Sequence, residues 1–210
     1  MTMFKTVGYF LSLIGISALL TGCWGGRVAS SATATQPTQI GERIPTTPRL
    51  QRVDGVELTT GQALKGKSVI IFYRGGWCPY CNSHLKELNN IEKALHDLGF
   101  QIFAISPDKP AKLRETKIEH KLKYTMLSDS DMQLARMMGV AFELAPETLQ
   151  KLESYEIDIH AASGRSHNLL PVPSVFLVDD QGIIRYAHSN PDYKVRLSAR
   201  ELLAAARQIK

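Results

Sequence analysis

The sequence predicts an α/β sandwich, a central mixed sheet with helices on both faces. Three observations carry this. An apolar, β-branched run at 68–73 is followed by an amphipathic helix pattern and a second apolar run at 100–105, which together make a β-α-β unit. Ser174–Val178, a turn at Asp179–Gly182 and Ile183–His188 read as an antiparallel hairpin. Arg196–Ile209 has the apolar spacing of a closing helix. Sheet strands alternating with helices that each have one apolar face bury both faces only as a layered sandwich.

Taken in order, residues 1–22 read as a signal segment. Lys5 begins it, an apolar run spans Val7–Leu20, and Leu20-Thr21-Gly22-Cys23 resembles a bacterial lipobox, with Cys23 as the lipidation site. The run is shorter than the roughly 20 apolar residues of a membrane span, which favours cleavage over an uncleaved anchor. The expected location is therefore the bacterial cell envelope, lipid-anchored, and the outer membrane facing the periplasm if the cell is Gram-negative. Residues 23–48, rich in Ser, Thr, Pro and Gly, read as a flexible tether. The domain is expected over 49–210.

Within it, Asp54-Gly55 marks the turn of a short hairpin. Leu85, Leu88, Ile91, Leu95 and Leu98 form one stripe on a helix that Gly99 ends. Pro110 opens a second helix reaching to about Lys121, Tyr124–Leu127 is a short strand, and Asp129–Met138 is helical with its methionines as packing groups. Residues 139–172 read as an insertion near the active edge: Pro146–Tyr155 is helical, and Gly164–Pro171 has no periodicity.

The chemistry centres on Cys78 and Cys81 in FYRGGWCPYC. The strand ends in a Gly75-Gly76 turn, Cys78 falls at the N-cap of the next helix, and Pro79 suits its first position. A free thiol of pKa near 8.5 is about 3% thiolate at pH 7, whereas a helix N-terminus that lowers it to about 7 makes half of it reactive. Cys81, three residues on, returns to the same side and can close a disulfide. Such a short loop staples almost nothing, so a structural bridge is the weaker reading. Arg74 either adds positive potential or is a surface charge. Trp77 and Tyr80 either shield the sulfurs or simply pack. His84 reads as a surface helix residue, and two cysteines without a second ligand pair do not make a zinc site. No metal or organic cofactor is expected. The formal charge of +5 is scattered, without a basic arm or nucleic-acid motif, which excludes nucleic acid as an expected partner.

From about Leu50 to Ile209 the chain resembles the AhpC/TSA peroxiredoxin-like family of the thioredoxin-fold superfamily. FYRGGWCPYC, SPDKP, AFELAPETL, LPVPSVFLVDDQGIIRYAHSNPDY and the terminal helix carry the resemblance. It implies a thioredoxin-like sandwich, cysteine redox chemistry and peroxide reduction. Laid on the family's active loop, Cys81 takes the place of the peroxidatic cysteine, Cys78 that of the hydroxyl residue and Arg74 that of the proline. Pro173 stands where the family's distant arginine falls, and it resembles instead the cis-proline of thioredoxin-like disulfide reductases. Arg165 or Arg185 could replace that arginine through folding.

Three functions follow. The leading one is a thiol–disulfide oxidoreductase, Cys78 attacking and Cys81 resolving, with an external dithiol or disulfide protein as partner. The second is a thiol peroxidase in which Cys81 attacks hydrogen peroxide or an alkyl hydroperoxide. The third is a redox-sensitive scaffolding protein with little turnover.

Overall fold

The computed structural model describes residues 26–209. The hairpin of β1 (Arg49–Arg52) and β2 (Glu57–Thr59) leads through a single helical turn, α1 (Thr60–Ala63), into β3 (Ser68–Phe72). Next come α2 (Pro79–Asn89), α3 (Glu92–Asp97), β4 (Gln101–Ser106), α4 (Pro110–Glu119), β5 (Thr125–Ser128) and α5 (Gln133–Met137). The segment expected as an insertion holds β6 (Ala141–Glu143), α6 (Pro146–Ser154), α7 (Ile159–Ser163) and β7 (Leu169–Pro171). The chain closes with β8 (Ser174–Val178), β9 (Ile184–Ser189) and α8 (Ala199–Ala206).

Seven strands form one mixed sheet in the order β2-β1-β5-β4-β3-β8-β9. β3, β4 and β5 run parallel, and β8 lies antiparallel against β3 with Phe72 opposite Ser174. β3 is buried along its whole length because its side chains alternate between two cores. Val69 and Ile71 face Leu85, Leu88, Leu95, Leu113 and Leu202 from α2, α3, α4 and α8. Ile70 and Phe72 face Leu134 and Ala135 of α5 on the other side. This is the thioredoxin-like α/β sandwich that the sequence predicts, with helices on both faces.

Three details depart from the expected elements. The single helix up to Gly99 is two, broken at Asn90-Ile91, although its leucine stripe still faces one core. The helix expected from Asp129 starts only at Gln133, because the Asp129 carboxylate accepts the N–H groups of Leu134 and Ala135 at 3.2 and 2.8 Å, and Met132 turns left-handed to allow it. Gly164–Pro171, without periodicity, contains β7, which pairs with β6. This small sheet and the flanking helices bury a third cluster of Leu144, Leu152, Ile159 and Leu170.

The residues expected as a flexible tether also differ in the part that is described. Residues 26–48 run across the domain. Ala29 exchanges backbone hydrogen bonds with Ala141 and Glu143, Thr38 N–H donates to Met138 at 2.9 Å, and Ile44 and Glu42 pair with Gly182 and Ile184. The physical reason is that β6 and β9 have free edges whose N–H and C=O groups this backbone satisfies. Gly139, at φ +67°, leaves the space: a Cβ there would sit 2.0 Å from the Gln36 carbonyl oxygen.

Candidate active site

The site sits at the carboxyl end of β3. Tyr73 N–H still bonds Ile105, and then the chain turns sharply through Gly75 and Gly76. The turn is held from beneath by Asp108, whose carboxylate accepts Gly76 N–H at 2.7 Å, and from above by Asn82, whose amide donates to Gly76 C=O at 2.7 Å. No side chain fits on either glycine. A Cβ on Gly75 would lie 2.3 Å from Trp77 Nε1, and one on Gly76 2.0 Å from Thr116 Oγ1. The turn delivers Cys78 to the N-cap of α2 with Pro79 in the first turn.

Both cysteines are reduced and nearly inaccessible, Cys78 at 1% and Cys81 at 0% exposure. They divide one proton. Hydrogen bonding from the Cys81 thiol lowers Cys78 to about 6 against the opposing effect of burial, with help from the Cys81 amide and the charges of Arg74 and Arg196. Burial first, and then the neighbouring Cys78 sulfur, push the Cys81 thiol up. These effects favour the thiolate on Cys78 and the thiol on Cys81.

Arg196, between β9 and α8, donates from Nη2 to Cys81 Sγ at 3.3 Å. Its segment is fastened to α2 by two further contacts: His84 Nε2 meets Leu197 C=O at 3.0 Å, and Glu87 accepts Ala199 N–H at 2.7 Å. Arg74 is 8% exposed, so it is not a surface charge. Its guanidinium lies between the rings of Trp77 and Tyr193, 4.9 and 4.3 Å from their centroids, and Tyr193 meets Tyr80 edge to face.

The structure thus brings Cys78, Cys81, Arg74, Trp77 and Pro79 together. Pro173 lies beside Arg74 in the wall of one cavity, but its expected cis bond is corrected: every peptide bond among the described residues is trans. Pro173 lies in the two-residue link between β7 and β8. His84, expected at the surface, is buried, and burial followed by the charge of Arg196 lowers its pKa to about 4. Arg165 and Arg185 do not reach the sulfurs; they pair with Asp131 and Asp179 at 2.6 and 2.7 Å. Sequence reasoning missed Arg196, Tyr193 and Asp108. Only the run Lys194–Arg200 hinted at the arginine, and it reads as surface charge. Among the described residues no three His, Cys, Asp or Glu side chains gather as metal ligands.

A reduced Cys-x-x-Cys pair at a helix N-cap of a thioredoxin-like sandwich, crossed by two guanidinium groups, defines a thiol-based redox enzyme. The chain belongs to the AhpC/TSA family, whose profile matches residues 40–187. A bcp-type peroxiredoxin from Haemophilus influenzae is 31% identical over 105 residues, 50% of this chain and 66% of that relative. The chain therefore spans just under two thirds of that protein's length. The chloroplastic peroxiredoxin Q of Oryza sativa subsp. japonica is 23% identical over 183 residues, 78% of this chain and 74% of the relative. Among solved structures, peroxidoxin BcpB of Mycobacterium tuberculosis superposes with a TM-score of 0.64 at 18% identity, over 82% of this chain and 99% of that one.

These comparisons correct the expected location. The relatives are bacterial bcp-type peroxiredoxins and chloroplastic peroxiredoxins Q, and they overturn the lipid-anchored envelope assignment. No helix among the described residues is long and apolar enough to cross a membrane. The signal segment at 1–22 and the lipidation site Cys23 lie outside the described residues.

Proposed function

We propose that the protein is a thiol-dependent peroxidase in which Cys81 attacks the peroxide and Cys78 resolves. The observation that carries this reading is the guanidinium of Arg196 on Cys81 Sγ. It supplies, from another part of the chain, the cation that the family pattern places where this sequence has Pro173. A positive donor beside the attacking sulfur favours its thiolate and the negative charge that develops on the peroxide oxygen.

The single proton of the pair fits the chemistry. Shifted from Cys81 to Cys78, it leaves a Cys81 thiolate that takes the terminal oxygen of ROOH to become sulfenic acid. The O–O bond breaks, and the departing RO⁻ receives the proton from Cys78 as ROH. Cys78 thiolate, favoured by its lowered pKa, then attacks the Cys81 sulfenic sulfur, forming the disulfide and releasing hydroxide that is protonated to water. An external dithiol restores both thiols.

A second reading, disulfide exchange begun by Cys78, is favoured by the same lowered pKa at the helix N-cap. Stopped-flow oxidation by hydrogen peroxide and by a peptide disulfide, with mass spectrometry of Cys78→Ser and Cys81→Ser, separates the two. The peroxidase reading expects a stable sulfenic acid on Cys81 in Cys78→Ser and loss of fast peroxide reaction in Cys81→Ser. Fast peptide-disulfide exchange in Cys81→Ser, with slow peroxide reaction in the unsubstituted protein, overturns it in favour of exchange.

A further inference from the structure

The segment that carries Arg196 is tied to the domain at few points. Residues 190–197 follow β9 as a run of local turns. Asn190 Oδ1 accepts Asp192 N–H at 2.9 Å, Asp192 Oδ1 accepts Lys194 N–H at 3.0 Å, and Asp192 C=O accepts Val195 N–H at 3.0 Å. These bonds are internal to the segment, so they shape it without attaching it. Among the described residues, the one hydrogen bond from 191–196 to anything outside 190–197 is that of Arg196 to Cys81 Sγ. No carboxylate pairs with Arg196 there, and its buried Nε has no hydrogen-bond partner. A guanidinium with a single N–H···S contact takes its position from the backbone on either side of it.

On the carboxyl side that backbone is anchored by Leu197, buried in the core with its C=O on His84, and by Ala199 N–H on Glu87. On the amino side the anchor is a ring. Tyr193 is 36% exposed, yet its face covers the Arg74 guanidinium at 4.3 Å and it meets Tyr80 at 5.6 Å. Arg74 is in turn held by Trp77 and Tyr80 stands in the first turn of α2, so both partners belong to the cysteine loop and helix. We infer that Tyr193 is a positioning residue for the reaction: held by Arg74 and Tyr80, its ring fixes the amino side of the segment and keeps Arg196 on Cys81. Without the ring, residues 191–196 gain conformers in which the guanidinium is off the sulfur, and a misplaced group loses its effect on the reacting atoms. For its effect on rate the inference rests on the peroxidase reading, to which it adds a side chain that acts through Arg196.

The test is a double-mutant cycle on the full chain, reading the hydrogen peroxide rate constant by stopped flow in Tyr193→Ala, Arg196→Met and the two combined. One cation–π contact and one aromatic pair predict a loss of about three- to tenfold in Tyr193→Ala. Tyr193→Phe keeps the ring and should restore the rate. In the Arg196→Met background, Tyr193→Ala should cause no further loss, because the group it places is gone. An NMR pH series on His84 gives a readout independent of turnover. With Arg196 displaced, the imidazole titration should move upward in Tyr193→Ala and return in Tyr193→Phe. Losses that multiply in the double variant overturn the inference and assign the effect to Arg74, the other cation the ring touches. A His84 titration unmoved by Tyr193→Ala overturns it as well. Slow reduction of hydrogen peroxide by the unsubstituted protein, with the His84 shift present, overturns the peroxidase reading and leaves Tyr193 as the residue that places Arg196.

Discussion

Replacing Arg196 by methionine keeps a long side chain against α2 and removes the charge and the donor. The lost contact is one N–H···S bond of 3.3 Å from a partly buried guanidinium to Cys81. Charge-assisted hydrogen bonds contribute about 1.5–3 kcal/mol, and about 1.4 kcal/mol is a factor of ten in rate. The second-order rate constant for hydrogen peroxide should therefore fall about 10- to 150-fold. Stopped-flow tryptophan fluorescence reads that rate, because Trp77 packs beside the cysteine helix. Arg196→Lys should recover part of the loss, since it restores the charge but not the planar fork. An independent readout comes from His84. Burial and then Arg196 hold its pKa near 4, so Arg196→Met should move the imidazole titration upward in an NMR pH series. A variant that reacts with peroxide within twofold of the unsubstituted protein, while His84 has shifted as expected, would refute the role given to Arg196. The guanidinium would then lie at the site without acting in it.

Three other outcomes follow from the same geometry. Alkylation of the reduced pair by iodoacetamide should have a midpoint near pH 6, set by Cys78, and Arg74→Gln should move that midpoint upward because its charge lowers the thiol. Asp129, buried beneath α5, is raised to about 7 chiefly by burial; its folded form holds a proton that the unfolded chain releases near pH 4. Its contribution to stability is thus complete below about pH 4 and is lost as pH rises through 7, and urea titrations from pH 5 to 8 should show this decline, reduced in Asp129→Asn. Gly139→Ala should loosen residues 26–44, since the new methyl group meets the Gln36 carbonyl and the position has φ +67°; limited proteolysis should then cut this segment much faster while the sheet stays protected.

The fold is readable from the sequence wherever a local period decides it. β3 and β8 are short apolar runs bounded by turn residues, and the leucines of α2 and α3 recur at three and four, so their burial follows from spacing alone. The break at Asn90 leaves no mark on that spacing, because the stripe continues across it. The late start of α5 depends on which N–H groups a carboxylate captures, and a run of helix-compatible residues carries no sign of it. The docking of residues 29–44 is a matter of backbone pairing with distant edges, to which side-chain composition is nearly blind. At the site, the two cysteines and the turn are contiguous and therefore legible. Arg196, Tyr193 and Asp108 come from other loops, and only the assembled sheet brings them in.

Arg196 reaches Cys81 across 115 positions of chain. At synthesis rates of about 5–20 residues per second, that interval lasts roughly 6 to 23 seconds. Throughout it, the growing polypeptide already holds both thiols and their turn, but not the cation that completes the pair. The contact of Arg196 with Cys81 is thereby left to the end of synthesis, when β9 and the segment leading into α8 are in place.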